Sequence, residues 1–292
     1  MPGDTFVASV EAGLNTMVAW ARVEGEYPAD IMPKLVDRKS LKPGTGTSHR
    51  EFLAAKLTAS NYGEADEIDD PQELSGSILS ATPQLVAIQT FIGKRVGERL
   101  SPEAYATLGQ LAQNAIQRKK DLDGHALFAT ATTTMAGTGT TLTSGHILAG
   151  IRQITSDANE PGKPPIYVVL HGYQLYDIQS EIVAGIGTYP MPTGYSEESW
   201  KQGYSGGRLG GADVYEDGLI AVNATPDARG GIFAKMGICL VQGFSPWTEQ
   251  RSEPQKGYGG MNTWLKDEYI YFERSPGNWM KGVLSDATAP TS

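Results

Sequence analysis

Apolar and polar positions along this chain change period several times, and each change predicts an element. Between residues 6 and 23, Phe6, Val10, Leu14, Met17, Val18 and Ala21 fall near helical spacing, which predicts an amphipathic N-terminal helix ended by Gly25, Pro28 and Pro33. Residues 36–42 are charged and only sparsely apolar, and Pro43, Gly44, Thr45, Gly46 and Thr47 supply turn chemistry, so this stretch predicts a ribbon with a flexible tip. From 78 to 96 short apolar runs alternate with Thr, Gln and Ser, with Leu85, Ala87, Thr90 and Ile92 among them, as suits half-buried strands. All these strand-like residues precede any helix long enough to pack against. Two-stranded ribbons are marginal alone in water, and their edges are free to pair with another chain, so residues 34–95 form an arm that needs a partner.

Ser101, Pro102 and Glu103 give an N-cap, a proline at the first helical position and an early acid. They open a long helix to about 127, with Leu108, Leu111, Ala115, Leu122 and Ala126 spaced as one buried stripe. A Thr- and Gly-rich loop is expected over 130–144, then a shorter helix over 144–157. Residues 164–170 are a continuous apolar run behind two prolines, which reads as a buried central strand. His171, Gly172, Tyr173 and Gln174 turn into a helix carrying Leu175, Ile178, Ile182 and Val183. The Gly-, Pro- and Tyr-rich excursion at 185–207 has the composition of a functional surface loop. Strands are predicted at 212–215, 219–222, 231–235, 238–242 and 266–274, and the polar tail 285–292 is expected to fray.

Composition narrows the function classes. The 292 residues, 40% of them hydrophobic, suffice for one large domain or two modest ones. A net charge of −9 disfavours gripping duplex DNA, which requires clustered Lys and Arg. Cys239 is the one cysteine, which rules out an intrachain disulfide or a cysteine metal cage and fits a reducing compartment. Residues 1–10 lack a basic region followed by an apolar core, and no window approaches the roughly 20 apolar residues of a membrane span. Synthesis and assembly in the cytoplasm, away from membranes, are expected.

Candidate chemistry is sparse. The glycines around Arg208 (Gly206, Gly207, Gly210, Gly211) lack the flanking strand and helix and the Gly-Lys-Ser/Thr ending of a phosphate loop, so they read as a turn before a strand. His49, His125, His146 and His171 never place two histidines on one helical face around an acid. His171, just past a buried strand, occupies a position from which active-site groups project in open α/β sheets, but it has no evident Ser or Asp partner and reads first as the residue fixing its turn. Glu64, Asp66, Glu67, Asp69 and Asp70 lack the glycine and closing Glu of an EF-hand and read as a solvated acidic bend. Cys239 reads as a small core residue, and Trp247, Trp264 and Trp279 as packing or subunit contacts. No catalytic residue, cofactor or metal ligand is assigned, and that points to a structural role.

The order of elements resembles the tailed-bacteriophage major capsid protein family over most of the chain. The residues that carry the resemblance are Leu57-Thr58-Ala59 followed by the acidic stretch to Asp70, the strand region 82–96, the helix 102–128 with Ala112, Ala115, Asp121 and Gly124, and the run Val168-Val169-Leu170-His171-Gly172-Tyr173-Gln174. Gly172 takes the place of the proline in the family's His-Pro-like turn. The resemblance implies an α+β fold with an N-terminal arm (1–33), an extended two-stranded loop (34–77) and a peripheral domain (78–143 and 244–284) built on a spine helix (101–128). It further implies an axial α/β domain (144–243) and a flexible tail (285–292), with Gly44, Gly46 and Gly63 as hinge candidates. The implied function is a non-enzymatic subunit whose hexamers and pentamers close into the icosahedral head around double-stranded DNA. Implied partners are a separate scaffolding protein, a portal and possible decoration proteins, with weak non-specific contact to packaged DNA. Some members crosslink an extended-loop Lys to a neighbour's Asn. Lys39, Lys42, Asn262 and Asn278 are the residues available for that, without any sign of the acid-assisted pocket it needs. The alternatives are an encapsulin-like cargo shell of the same fold, or a soluble α/β enzyme using His171.

Overall fold

The structure, a computed structural model, describes residues 31–42, 44, 46–64, 71–73, 75–98, 102–185, 207–275 and 277–291. The helix expected at 6–23, the acids Asp66, Glu67, Asp69 and Asp70, and nearly all of the 185–207 excursion lie outside them. Thirteen strands and five α-helices are described: α1 (Ile31–Leu35), β1 (Asp37–Ser40), β2 (His49–Ala54), β3 (Gly76–Ala81), β4 (Gln84–Gly93), α2 (Lys94–Gly97), α3 (Pro102–Ala126), β5 (Thr134–Ala136), α4 (Ser144–Thr155), β6 (Ile166–Leu170), α5 (Gly172–Gly185), β7 (Arg208–Leu209), β8 (Ala212–Glu216), β9 (Asp227–Ala234), β10 (Ile238–Gln242), β11 (Trp247–Ser252), β12 (Gly260–Glu273) and β13 (Met280–Asp286).

Three sheets result. The long strand β12 pairs along one edge with β4, from Gly260↔Gly93 to Tyr269↔Gln84, and along the other with β11 and then β10. β1 adds to β10 in parallel, Asp37 opposite Cys239. The second sheet runs β5-β13-β9-β6-β8-β7, with β6 in its interior, parallel to β8 and antiparallel to β9. The third is the isolated ribbon β2-β3.

Two apolar clusters hold this together. Ile147, Ile151 and Ile154 of α4 and Leu175 and Ile178 of α5 cover one face of the six-stranded sheet, against Val168, Leu170 and Ile232. The second cluster joins the two large sheets: Met32 and Leu35 of α1, Phe128, Phe233 and Val169 from the six-stranded side, and Ile238, Leu240, Tyr269 and Tyr271 from the other. Phe128 lies so close over Gly231 that a Cβ there would stand 2.3 Å from its ring, so a glycine at 231 is what lets the ring seat against β9.

Several expectations need correction. Residues 37–40 are not part of the ribbon: they form the edge strand of the larger sheet, and the turn residues at 43–47 link that strand to β2. The buried face of α3 is not the stripe containing Leu111 and Leu122, which are 37% and 39% exposed, but the one carrying Ile116, Asp121, Gly124 and His125. Two polar residues belong to that face, so a stripe drawn through apolar positions alone is rotated away from it. Residues 219–222 form a turn with one bridge, Val222 to Ala228, in place of a strand. The loop over 130–144 contains β5, which is added in parallel to β13 and buries Met135. Strands on either side of residues 243 and 244 pair with one another: β10 with β12, and β13 with β9. Finally, the tail does not fray at its start, because Ser285 and Ala287 are buried and β13 runs to Asp286.

Candidate assembly interface

The ribbon β2-β3 is the part of the chain least satisfied by its own fold. Its strands pair only with each other, His49 opposite Ala81 through Ala54 opposite Gly76. Beyond the strands the pairing continues, with Ala55 N–H donating to Ser75 O at 2.7 Å and Thr58 N–H to the Gln72 side chain at 2.8 Å. Side chains of β2 alternate strictly between half-buried and exposed, as period two demands of a strand with one supported face. On the exposed face the cross-strand partners are Phe52 and Ile78, 59% and 65% exposed. Gly76 leaves room for the Phe52 ring to lie across β3, since a Cβ there would stand 2.6 Å from it. A directly opposed pair of large apolar side chains facing water, on a ribbon with both edges open, marks a surface built to be covered. Leu57, also well exposed, extends the apolar character beyond β2.

A polar clamp fixes the base of this ribbon to the body. Arg274, just past β12, donates from Nε and Nη2 to the two oxygens of Glu51 on β2, both at 2.8 Å, and from Nη1 to Asp37 Oδ2 on β1 at 2.7 Å. His49 Nε2 lies 3.0 Å from Glu51 Oε1. The fork geometry of a guanidinium matches a carboxylate bidentately, which sets direction as well as distance. Burial raises the Glu51 pKa, but the hydrogen bonds from Arg274 and His49 outweigh it and hold the carboxyl below its ordinary value. The ribbon is therefore angularly fixed at its root, while its far half is held mainly by its own pairing and by Lys56 Nζ donating to Ala158 O at 3.3 Å.

Elsewhere on the five-stranded sheet, α3 stands off from β4, β11 and β12 and leaves an open groove of about 740 Å³. Ile88, Ile92, Ala112, Ile116 and Leu265 are among its lining residues. Lys120 spans its floor, with Nζ 2.5 Å from Asp267 Oδ2 and 4.7 Å from the centre of the Tyr269 ring.

The residues weighed as possible chemistry take structural positions. His171 caps α5: its Nδ1 accepts from Tyr173 N–H at 3.2 Å, and its own N–H donates to Gln174 Oε1 at 3.1 Å. Burial lowers its pKa, partly countered by Glu216 and Asp217. Gln174, fully buried, also donates to Ala228 O and Ser285 Oγ, tying α5 to β9 and β13. His146 closes the capping box of α4 with Thr143. Gly210 and Gly211, both at positive φ, make the two-residue turn between β7 and β8, as the turn reading anticipates. Cys239 is buried, and that burial pushes its thiol up to about 11. Trp279 packs on the core with Nε1–H donating to Glu160 O, and Trp247 donates to Glu249. Asn262 is buried in β12, and Asn278 donates to Glu160 and Ser275. What sequence reasoning missed is the clamp, because Asp37, Glu51 and Arg274 meet only through tertiary pairing, and the Phe52–Ile78 pair, which depends on strand register.

No protein-family model matches the sequence, and no curated protein matches it. Solved structures do. A protein of Mycobacterium phage Che8 superposes with a TM-score of 0.69 at 15% identity, over 92% of this chain and 94% of that one. The capsid of Cyanophage P-SCSP1u gives 0.69 at 10% identity, over 97% and 96%. The capsid of Ralstonia phage GP4 gives 0.64 at 11% identity, over 94% and 95%. The chain thus has the α+β fold of tailed-phage capsid proteins along nearly its whole length.

Proposed function

We propose that this protein is the major capsid protein of a tailed phage, a subunit that self-assembles into the icosahedral head enclosing double-stranded DNA. Phe52 and Ile78 carry the proposal: an opposed apolar pair on a clamped, edge-exposed ribbon is of no use to a monomer and is suited to lie on a neighbouring copy. The fold shared with phage capsids over more than nine-tenths of each chain supports it.

As a shell subunit the protein works by geometry. Each copy would share several interfaces with its neighbours in hexamers and pentamers, of order 800 Å² per partner for a standard one, and many weak contacts in a closed lattice reinforce one another. The ribbon β2-β3 and the N-terminal arm would overlap neighbours, and the 185–207 excursion would contribute contacts at or near the symmetry axes. A net charge of −9 keeps the shell from adsorbing packaged DNA tightly, which eases filling and release. A separate scaffolding protein, a portal and a possible decoration protein complete the partners, in a particle assembled in the host cytoplasm. The phage head is favoured over a cargo compartment of the same fold because the similar structures named above come from phages.

Expression of the full chain, alone and with its scaffold, followed by negative-stain electron microscopy, tests this. Closed particles tens of nanometres across are expected from the native sequence, and folded but unassembled subunits from Phe52→Asp combined with Ile78→Asp. A uniform small oligomer from the native chain under both conditions would overturn the proposal. Normal particles from the double variant would overturn the role given to the ribbon.

A further inference from the structure

A buried constellation of three ionisable side chains lies where the spine helix meets the six-stranded sheet. Asp121 and His125 sit one turn apart on the inner face of α3, and Asp217 follows β8. Asp121 and Asp217 are fully buried and His125 is 8% exposed. One ligand atom from each lies within 4.8 Å of the other two.

The hydrogen bonding of the two carboxylates is asymmetric in the same way. Asp121 Oδ1 accepts from Met32 N–H at 2.7 Å and Asp217 Oδ1 from Leu219 N–H at 2.8 Å, while Oδ2 of each has no hydrogen-bond partner. The Asp217 backbone is fixed as well, its N–H donating to Leu170 O at 2.8 Å. His125 Nε2 comes within 3.0 Å of Asp217 Oδ2, and neither ring nitrogen makes a hydrogen bond. Orphaned polar atoms at zero exposure are rare in a native core and destabilise it. Here the three side chains converge, and each carboxylate is positioned by a backbone N–H on its other oxygen, as outer hydrogen bonds orient the ligands of a metal.

We propose that Asp121, His125 and Asp217 bind a divalent transition-metal ion of the zinc type, which ties α3 to the segment leaving β8 and, through Met32, to α1. Two carboxylates and a neutral imidazole carry a formal charge of −2, which one such ion balances. The donor set of one nitrogen and two carboxylate oxygens suits zinc and its neighbours, whereas calcium takes six to eight oxygens. With donors this deep in the core, the ion would enter as the subunit folds, and its binding free energy would add to folding. This site stands apart from the ribbon, so it holds or fails independently of shell assembly.

The test uses the full chain, refolded without metal and then titrated with Co²⁺ as an optical probe and with Zn²⁺. One equivalent per subunit is expected, with visible d–d absorption from Co²⁺, a higher thermal midpoint with Zn²⁺, and reversal by chelator. X-ray absorption of the zinc-loaded native protein should show one imidazole among oxygen donors. Asp217→Asn and His125→Gln should weaken uptake at least tenfold, the scale on which even outer partners of metal ligands act. No stoichiometric uptake by the native chain, an all-oxygen or sulfur-containing shell, or undiminished binding in both variants would each overturn the assignment.

Discussion

Replacing Glu51 with Gln isolates the clamp that orients the ribbon, because it keeps the side-chain shape and removes the charge facing Arg274. The native pair is bidentate, with side chains 27% exposed for Glu51 and 13% for Arg274. Breaking a fully buried pair costs about 3–5 kcal/mol and an exposed one about 0–1. This pair falls between, and Arg274 keeps Asp37 and the Met236 carbonyl, so Glu51→Gln should cost about 2 kcal/mol. Arg274→Met, which strips both acids at once, should cost about 3 kcal/mol. The pH dependence has a definite sign. The folded Glu51 carboxyl lies below its ordinary value of 4.5, so its contribution is fully present above that value and is lost as pH falls through the lowered folded one. Urea unfolding of the unassembled full chain from neutral to acid pH would measure both effects, and amide exchange in β2 would report loosening of the ribbon root. A Glu51→Gln variant within 0.5 kcal/mol of native at neutral pH, with the same acid slope and unchanged β2 exchange, would refute the clamp.

Two further outcomes can be checked with the same unfolding measurement. Phe128→Ala removes a fully buried ring that contacts Phe233, His125 and Gly231, and should cost about 3–5 kcal/mol; a loss below 1 would mean the two sheets do not share this core. Gln174→Ala should cost about 2–3 kcal/mol because it leaves the buried Ala228 carbonyl and Ser285 hydroxyl without their partner, whereas His171→Ala should cost only about 1 as a lost cap, so an inverted order would contradict the capping geometry.

The chain's local chemistry makes much of this fold legible. Pro102 and Glu103 mark the start of the spine helix within a residue of where it begins, and the apolar run ending at Leu170 lies in the interior of the six-stranded sheet. The interval 238–242 coincides with β10, since a run of β-branched and apolar residues between turn signals has few other uses. The four-residue group from His171 to Gln174 also announced its turn, because capping is a local interaction. The arm read over 34–95 is narrower than expected, because β1 and β4 pair with β10 and β12 and only β2-β3 stands apart.

What only tertiary structure decided is which residues meet. The ribbon proved to be β2 with β3, and Asp37–Ser40 a strand of the larger sheet, because strand partnership rests on hydrogen bonds between segments far apart in sequence, and a charged tetrapeptide can satisfy either edge. The inner face of α3 escaped an apolar count because Asp121 and His125 lie on it, packed against Met32 and Asp217, which other elements deliver. Glu51 and Arg274 are unremarkable surface charges until β2 and the end of β12 bring them to 2.8 Å. Periodicity along a chain reports how each segment can bury itself, while the pairing of buried or clamped polar groups is a property of the assembled fold, because a charge can leave water only when another part of the chain replaces the hydration it gives up.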